Sequence, residues 1–334
     1  MRITEVLDTT YGKLVNAPFI SAFLSITCDV THVKTGSLFF AKNKEEIKEA
    51  VEKGAYGIVF CGKCEIIDDE IAWIQVDSIL EALNLLTRYI LSAQNIKLVI
   101  LESLELELAK DLELDAYIFE ESGLEKLIEF IYDKSSLECF FLLTKDKSLK
   151  DLLPNTLKSS KIKVTSKLGL LTHTLLETTY TYKDKVFNLP LPYVFLPYLE
   201  TLLATCEIAS LEPSLINYKK SALIEFFYLD TTLYLSEKET FKTLMLINNK
   251  DVFMLFADYL EKEAKHLKLM LLALDLKSTF TSSKDFTNFQ IFKDKDSLIK
   301  TIKLSDFNLC LTYGLKTTFL HQSFIKDTTS KGLF

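Results

Sequence analysis

An α/β fold with largely parallel sheets is what this 334-residue sequence predicts, on two observations. Short, apolar, β-rich runs recur along the chain, and charged amphipathic segments stand between several of them. The first such run opens "ITCDVTHVKTGSLFFA" (26–41), which reads as strand, loop and strand, with Asp29 in the loop and Gly36 before the second run. "KEEIKEAVEKGA" (44–55) follows as a helix, with Ile47, Ala50 and Val51 on one face and Gly54 as its stop. "YGIVF" (56–60) and "AWIQV" (72–76) are the next strands, and "SILEALNLLTRYIL" (78–91) is the next helix, with Ser78 as N-cap. "KLVIL" (97–101), "DAYIF" (115–119), "CFFLL" (139–143) and "NLCLTY" (308–313) continue the strand series.

The bulk numbers bound the rest. A composition of 48% hydrophobic and 25% charged residues is that of an ordinary globular protein, and the length suits two or three domains. A net charge of -7 argues against general nucleic-acid binding, which needs a basic face. No run approaches the roughly 20 apolar residues of a spanning helix, and "MRITEVLDTT" has charges where a signal peptide needs an apolar core. A soluble, cytoplasmic protein without membrane insertion is expected. The six cysteines are scattered, which fits reduced thiols better than a disulfide framework. Lysine-rich "TKDKSLKDLLPNTLKSSKIK" (144–163) reads as a linker or exposed excursion. Pro190, Pro192 and Pro197 read as a passage between lobes, and a third lobe is expected to start near Ser221.

Motifs that carry chemistry are sparse. "GIVFCGKC" (57–64) has the spacing of a phosphate loop, but its four middle residues belong to a strand, and Cys64 stands where a hydroxyl would hold Mg²⁺. It reads as a strand end and a turn. Cys61 and Cys64 lack the second pair of ligands a zinc site needs. Asp68–Asp69–Glu70 reads as a solvated turn rather than a metal cluster. His-Glu-x-x-His, Gly-x-Ser-x-Gly and Gly-x-Gly-x-x-Gly do not occur, and the aromatic residues read as core.

In residues 26–41, Asp29, Gly36, Phe39 and Ala41 stand in the register of the uridine-binding loop of the Mur ligases of peptidoglycan synthesis, Thr-Asp-Ser-Arg, spacer, Pro-Gly, Asp-x-Phe-x-Ala. The chain resembles that family, and within it the branch that adds D-Ala-D-Ala. "AVEKGAYGIVF" (50–60) and "VDSILEALNLLTRYI" (76–90) continue the likeness. "YTYKDKVFNLPLPYVFLPYLETLLATCEIASL" (180–211) and "DKDSLIKTIKLSDFNLCLTYGLKTTFLHQSF" (294–324) extend it more faintly, the latter as a helix and a strand ending at Gly314 and Lys316. The resemblance implies an N-terminal UDP-binding-like domain (1–92), a reduced central α/β domain (93–220) and a C-terminal Rossmann-like domain (221–334). It implies a UDP-like ligand held by Asp29, Thr31, Lys34, Gly36 and Phe39.

The departures bear on activity. Val30 and Thr31 replace the loop's Ser and Arg, so neither a uracil-facing hydroxyl nor a charge for a diphosphate is supplied there. After residue 92 the only glycines are Gly123, Gly169, Gly314 and Gly332, none in a Gly-rich ATP loop. The chain is also shorter than the resemblance implies for a complete ligase. ATP and Mg²⁺ binding are therefore not expected, no catalytic or metal-binding residue is assigned, and amide-bond formation is not expected. The leading expectation is a non-catalytic Mur-ligase-like protein that binds a cell-wall synthesis protein or a UDP-linked precursor. The alternatives are a divergent UDP-sugar enzyme or ligase, and an α/β interaction protein unrelated to the cell wall.

Overall fold

Gly57–Cys61 and Ala72–Val76 are neighbouring parallel strands, as the apolar runs there require. The computed structural model describes residues 1–134, 139–164, 168–218, 221, 223–275, 280 and 286–324. These form two units: Met1–Glu102 with Asp115–Lys161, and Ser103–Leu114 with Ile162–Phe334.

The first unit begins with α1 (Ile3–Thr10), β1 (Lys13–Leu14), β2 (Ser25–Thr27), β3 (Ser37–Phe40), α2 (Glu45–Glu52), β4 (Gly57–Cys61), β5 (Ala72–Val76) and α3 (Ile79–Ala93). Its first sheet has the order β1-β5-β4-β3-β2, parallel except for β1. β6 (Lys97–Ile100) follows, and α4 (Ser103–Asp111) belongs to the second unit. β7 (Tyr117–Phe119), α5 (Leu124–Asp133), β8 (Phe141–Thr144) and β9 (Leu157–Lys158) return to the first. Together with β6 they make an all-parallel sheet, β7-β8-β6-β9.

The sequence-level stops and caps are in place. Ser78 Oγ accepts from the amide of Glu81 at 3.3 Å at the start of α3, and Gly54 ends α2 with φ +88°. Leu83 and Leu86 of α3, Leu127 and Ile131 of α5, Ile74 of the first sheet and Ile100 of the second all lie in one apolar cluster. The core therefore runs without a break across residue 92.

Segment 144–163 links the two units only at its end, where the chain passes from the first to the second after Lys161; the rest is part of the first unit. β9 pairs with β6 inside it, and Leu149, Leu152 and Leu153 are buried in that same core. Lys147, Lys150, Lys161 and Lys163 are exposed, while those three leucines between them are buried.

In the second unit, β10 (Gly169–His173), β11 (Thr178–Tyr182) and β12 (Lys185–Leu189) form an antiparallel sheet. α6 (Leu196–Ala209) follows. The cluster Pro190, Pro192 and Pro197 is not a passage between lobes, because both of its flanks lie in this unit. Pro197 sits in the first turn of α6, where a missing N–H costs nothing. The remaining elements are β13 (Glu225–Leu229), β14 (Leu235–Ser236), β15 (Lys242–Ile247), α7 (Lys250–Glu263), β16 (Leu269–Leu274), β17 (Phe289–Phe292), α8 (Lys295–Leu304), β18 (Leu309–Tyr313) and α9 (Thr317–Phe324). Their sheet has the order β14-β13-β15-β18-β16-β17, with the last four strands mutually parallel. The predicted strand end at Gly314 is there, with φ +78°. Among the described residues no helix is long and apolar enough to cross a membrane.

Candidate functional site

The loop from β2 to β3 is built around two short-range devices. Asp29 caps a 3₁₀ turn (Val30–His32), its Oδ1 accepting from the Thr31 amide at 2.9 Å and the Thr31 hydroxyl at 2.6 Å. These bonds, the hydroxyl's first, hold the Asp29 carboxyl below its ordinary range. Gly36 takes φ +93° before β3, its carbonyl accepting from the Leu24 amide at 2.8 Å. Lys53 Nζ donates to the Val30 carbonyl at 3.1 Å and pins the turn from α2.

The loop faces α5 across a cleft of about 460 Å³. Thr27, His32 and Lys34 line one side, and Lys126, Glu129 and Asp133 the other. Of the five residues the resemblance implies, Lys34 lines the cleft, and Asp29 and Thr31 form the turn beside it. Gly36 is buried beneath the loop. Phe39 is elsewhere: it is fully buried in the apolar cluster with Ile47, Ile58 and Trp73.

Glu129 is the residue that sequence reasoning missed. Its Oε1 accepts from Thr27 Oγ1 at 2.6 Å and from the Cys28 amide at 3.3 Å, and its Oε2 lies 3.1 Å from His32 Nδ1. A carboxylate can only accept, so Nδ1 carries the proton in that contact. Burial pushes the Glu129 carboxyl up, but the bonds from Thr27, His32 and Cys28 outweigh it, and the net displacement is downward. Glu125, Glu129 and Asp133 share one face of α5 at helical spacing. Glu125 pairs with Lys42, and Asp133 lies 3.9 Å from Lys34. The spacing of those acids was visible in the sequence; their partners were not. Burial, then the charges of Glu125 and Glu129, push the Cys28 thiol far up, so it stays protonated and is no nucleophile.

The carboxyl ends of β6, β7 and β8 are acidic too. β6 leads through Leu101 and Glu102 directly into α4, and Glu102 pairs with Lys147 at 2.8 Å. Asp146 Oδ2 accepts from the Gly123 amide at the start of α5 at 2.6 Å. A strand-to-helix junction is where a parallel sheet presents amides to phosphate; here carboxylates stand at it.

A larger cleft, about 700 Å³, lies in the second unit among Lys265, Lys268, Asn288, Gln290 and Asp306. It opens at the starting ends of β16 and β17, opposite the carboxyl ends where open α/β sheets take ligands, and Lys268 is engaged by Asp306. In the first unit, "GIVFCGKC" is a strand and turn as the sequence predicts: β4 fills Gly57–Cys61, and Gly62 turns the chain with φ +76°. Cys61 and Cys64 are free thiols. Asp68 closes its own turn, Oδ1 accepting from the Glu70 amide at 2.9 Å.

No known family description matches the chain, and no curated protein matches it by sequence. Solved structures do. A UDP-N-acetylmuramoylalanyl-D-glutamyl-2,6-diaminopimelate–D-alanyl-D-alanyl ligase from Acinetobacter baumannii is similar with a TM-score of 0.60 at 11% identity, over 96% of both chains. A MurF structure from the same organism is similar at 0.59 and 10% identity, over 93% of this chain and 95% of the other. MurF from Thermotoga maritima, in complex with ADP, is similar at 0.53 and 11% identity, over 90% and 96%. Across nearly its whole length, this chain has the multi-domain α/β fold of the Mur ligases.

Proposed function

We propose that this chain is a non-catalytic, cytoplasmic protein of Mur-ligase-like fold, acting in peptidoglycan precursor synthesis by binding a partner protein or precursor. The fold likeness supports the pathway. One observation supports the absence of ligase chemistry: β6 runs through Leu101 and Glu102 straight into α4, with no glycine between strand and helix to form the phosphate loop an ATP-dependent ligase needs. ATP-driven amide formation makes an acyl phosphate, and the transferring group needs a cradle and cations.

A thermal-shift screen against ATP–Mg²⁺, UDP and UDP-MurNAc-peptides tests the proposal. A ligand of the folded state raises stability by about 2.7 kcal/mol at a hundredfold excess over Kd. The expected result is no shift with ATP–Mg²⁺, together with recovery of envelope-synthesis proteins on the immobilised chain or a shift with a precursor. ATP turnover dependent on a precursor and an amino acid or dipeptide overturns it.

A further inference from the structure

An anion-binding loop works by aiming several N–H and O–H groups at one point. Thr27, Cys28 and His32 do this, and what stands at the point is a side chain from 97 to 102 residues further along. The Glu129 side chain is only 17% exposed there, with Lys126 Nζ at 3.6 Å from Oε2. The flanking pairs are different in kind. Lys34 and Asp133 are 64% and 66% exposed, so solvent screens them and they contribute little. Glu129 at the centre is sheltered, while His32 beside it is 52% exposed, so the point where these donors converge is open to solvent on the His32 side.

We infer that the Thr27 hydroxyl, the Cys28 amide and His32 form a recognition site for an anionic oxygen group, and that Glu129 fills this site from within the chain. An external carboxylate or phosphate enters only when Glu129 vacates it. Lys34 and Lys126 at the rim of the cleft supply the positive charge such a ligand needs. The inference stands on the cleft alone: precursor-dependent ATP turnover would overturn the functional proposal and leave this one in place.

The test is isothermal titration of the full chain and of its Glu129→Ala variant, at low salt, with inorganic diphosphate and with malonate. The native chain is expected to give no saturable heat with either. Glu129→Ala is expected to bind one of them at least tenfold more tightly, and which one it binds separates a phosphate site from a carboxylate site. Adding Thr27→Val to that variant is expected to abolish the gain. A folded Glu129→Ala chain indifferent to both anions overturns the inference, as does tight binding by the native chain or a gain that survives Thr27→Val. Should Glu129→Ala not fold, Glu129→Ser carries the test: its side chain is too short to reach Thr27, it loses the charge, and it is expected to gain affinity. Indifference of that folded variant is equally fatal.

Discussion

Asp29 and Thr31 satisfy each other: one carboxylate oxygen takes both the amide and the hydroxyl of Thr31, at 2.9 and 2.6 Å. Two residues in the position of ligand groups are thereby engaged in holding a turn. Asp29→Ala is expected to cost about 1 kcal/mol, the usual loss of a side-chain cap. Asp29→Asn, which keeps an acceptor, is expected to cost less. Urea denaturation of the two variants checks this.

Acid should loosen the contact between α5 and the loop. The Glu129 carboxyl is lowered on folding, so its contribution is present above the ordinary value near 4.5 and is lost as pH falls through the still lower folded value. Thr27, Cys28, His32 and Lys126 are the groups facing it. Thermal melts of the native chain between pH 6 and pH 3 should show a decline below about pH 4.5 that is shallower in Glu129→Gln.

Glycine substitutions should separate conformational strain from collision. Gly62 has φ +76° with nothing within 4 Å of an added Cβ, so Gly62→Ala is expected to lose about 1 kcal/mol. Gly36 has φ +93°, and a Cβ there would lie 2.7 Å from Leu24 Cδ1. Gly36→Ala should therefore lose clearly more, because Leu24 must also move. Equilibrium unfolding of both variants gives the comparison.

Leu152 tests the role of segment 144–163. It is 5% exposed in the core, so Leu152→Ala is expected to destabilise by about 2–5 kcal/mol, where a linker residue would be neutral. A shift of the denaturation midpoint with unchanged slope is the expected signature.

Local signals were legible in the sequence because they act over a few residues. The Ser78 cap, the Gly54 stop, the Asp29 turn and the Gly36 conformation all follow from neighbouring chain. Phe39 misleads because Ser37–Phe40 is buried on every residue, as a parallel strand covered on both faces is, and no alternation marks which side chains reach a cleft. Leu149, Leu152 and Leu153 were hidden by the lysines between and around them. Glu129 was out of reach for another reason: its partners lie about a hundred residues away, and helical spacing names a face without naming what meets it.

The chain leaves the first unit after Glu102, rejoins it at Asp115 and leaves again after Lys161. No single cut can free either unit. Cleavage after Lys161 would release a fragment still carrying α4, whose Leu104, Leu106 and Leu108 are buried in the intact chain and whose neighbours in the second unit are α6 and α7. A protein laced in this way cannot be shortened to half by trimming one end or acquired as a cassette. Truncation and gene fusion are expected to yield insoluble halves, and coexpressed fragments would have to exchange segments to recover a folded state.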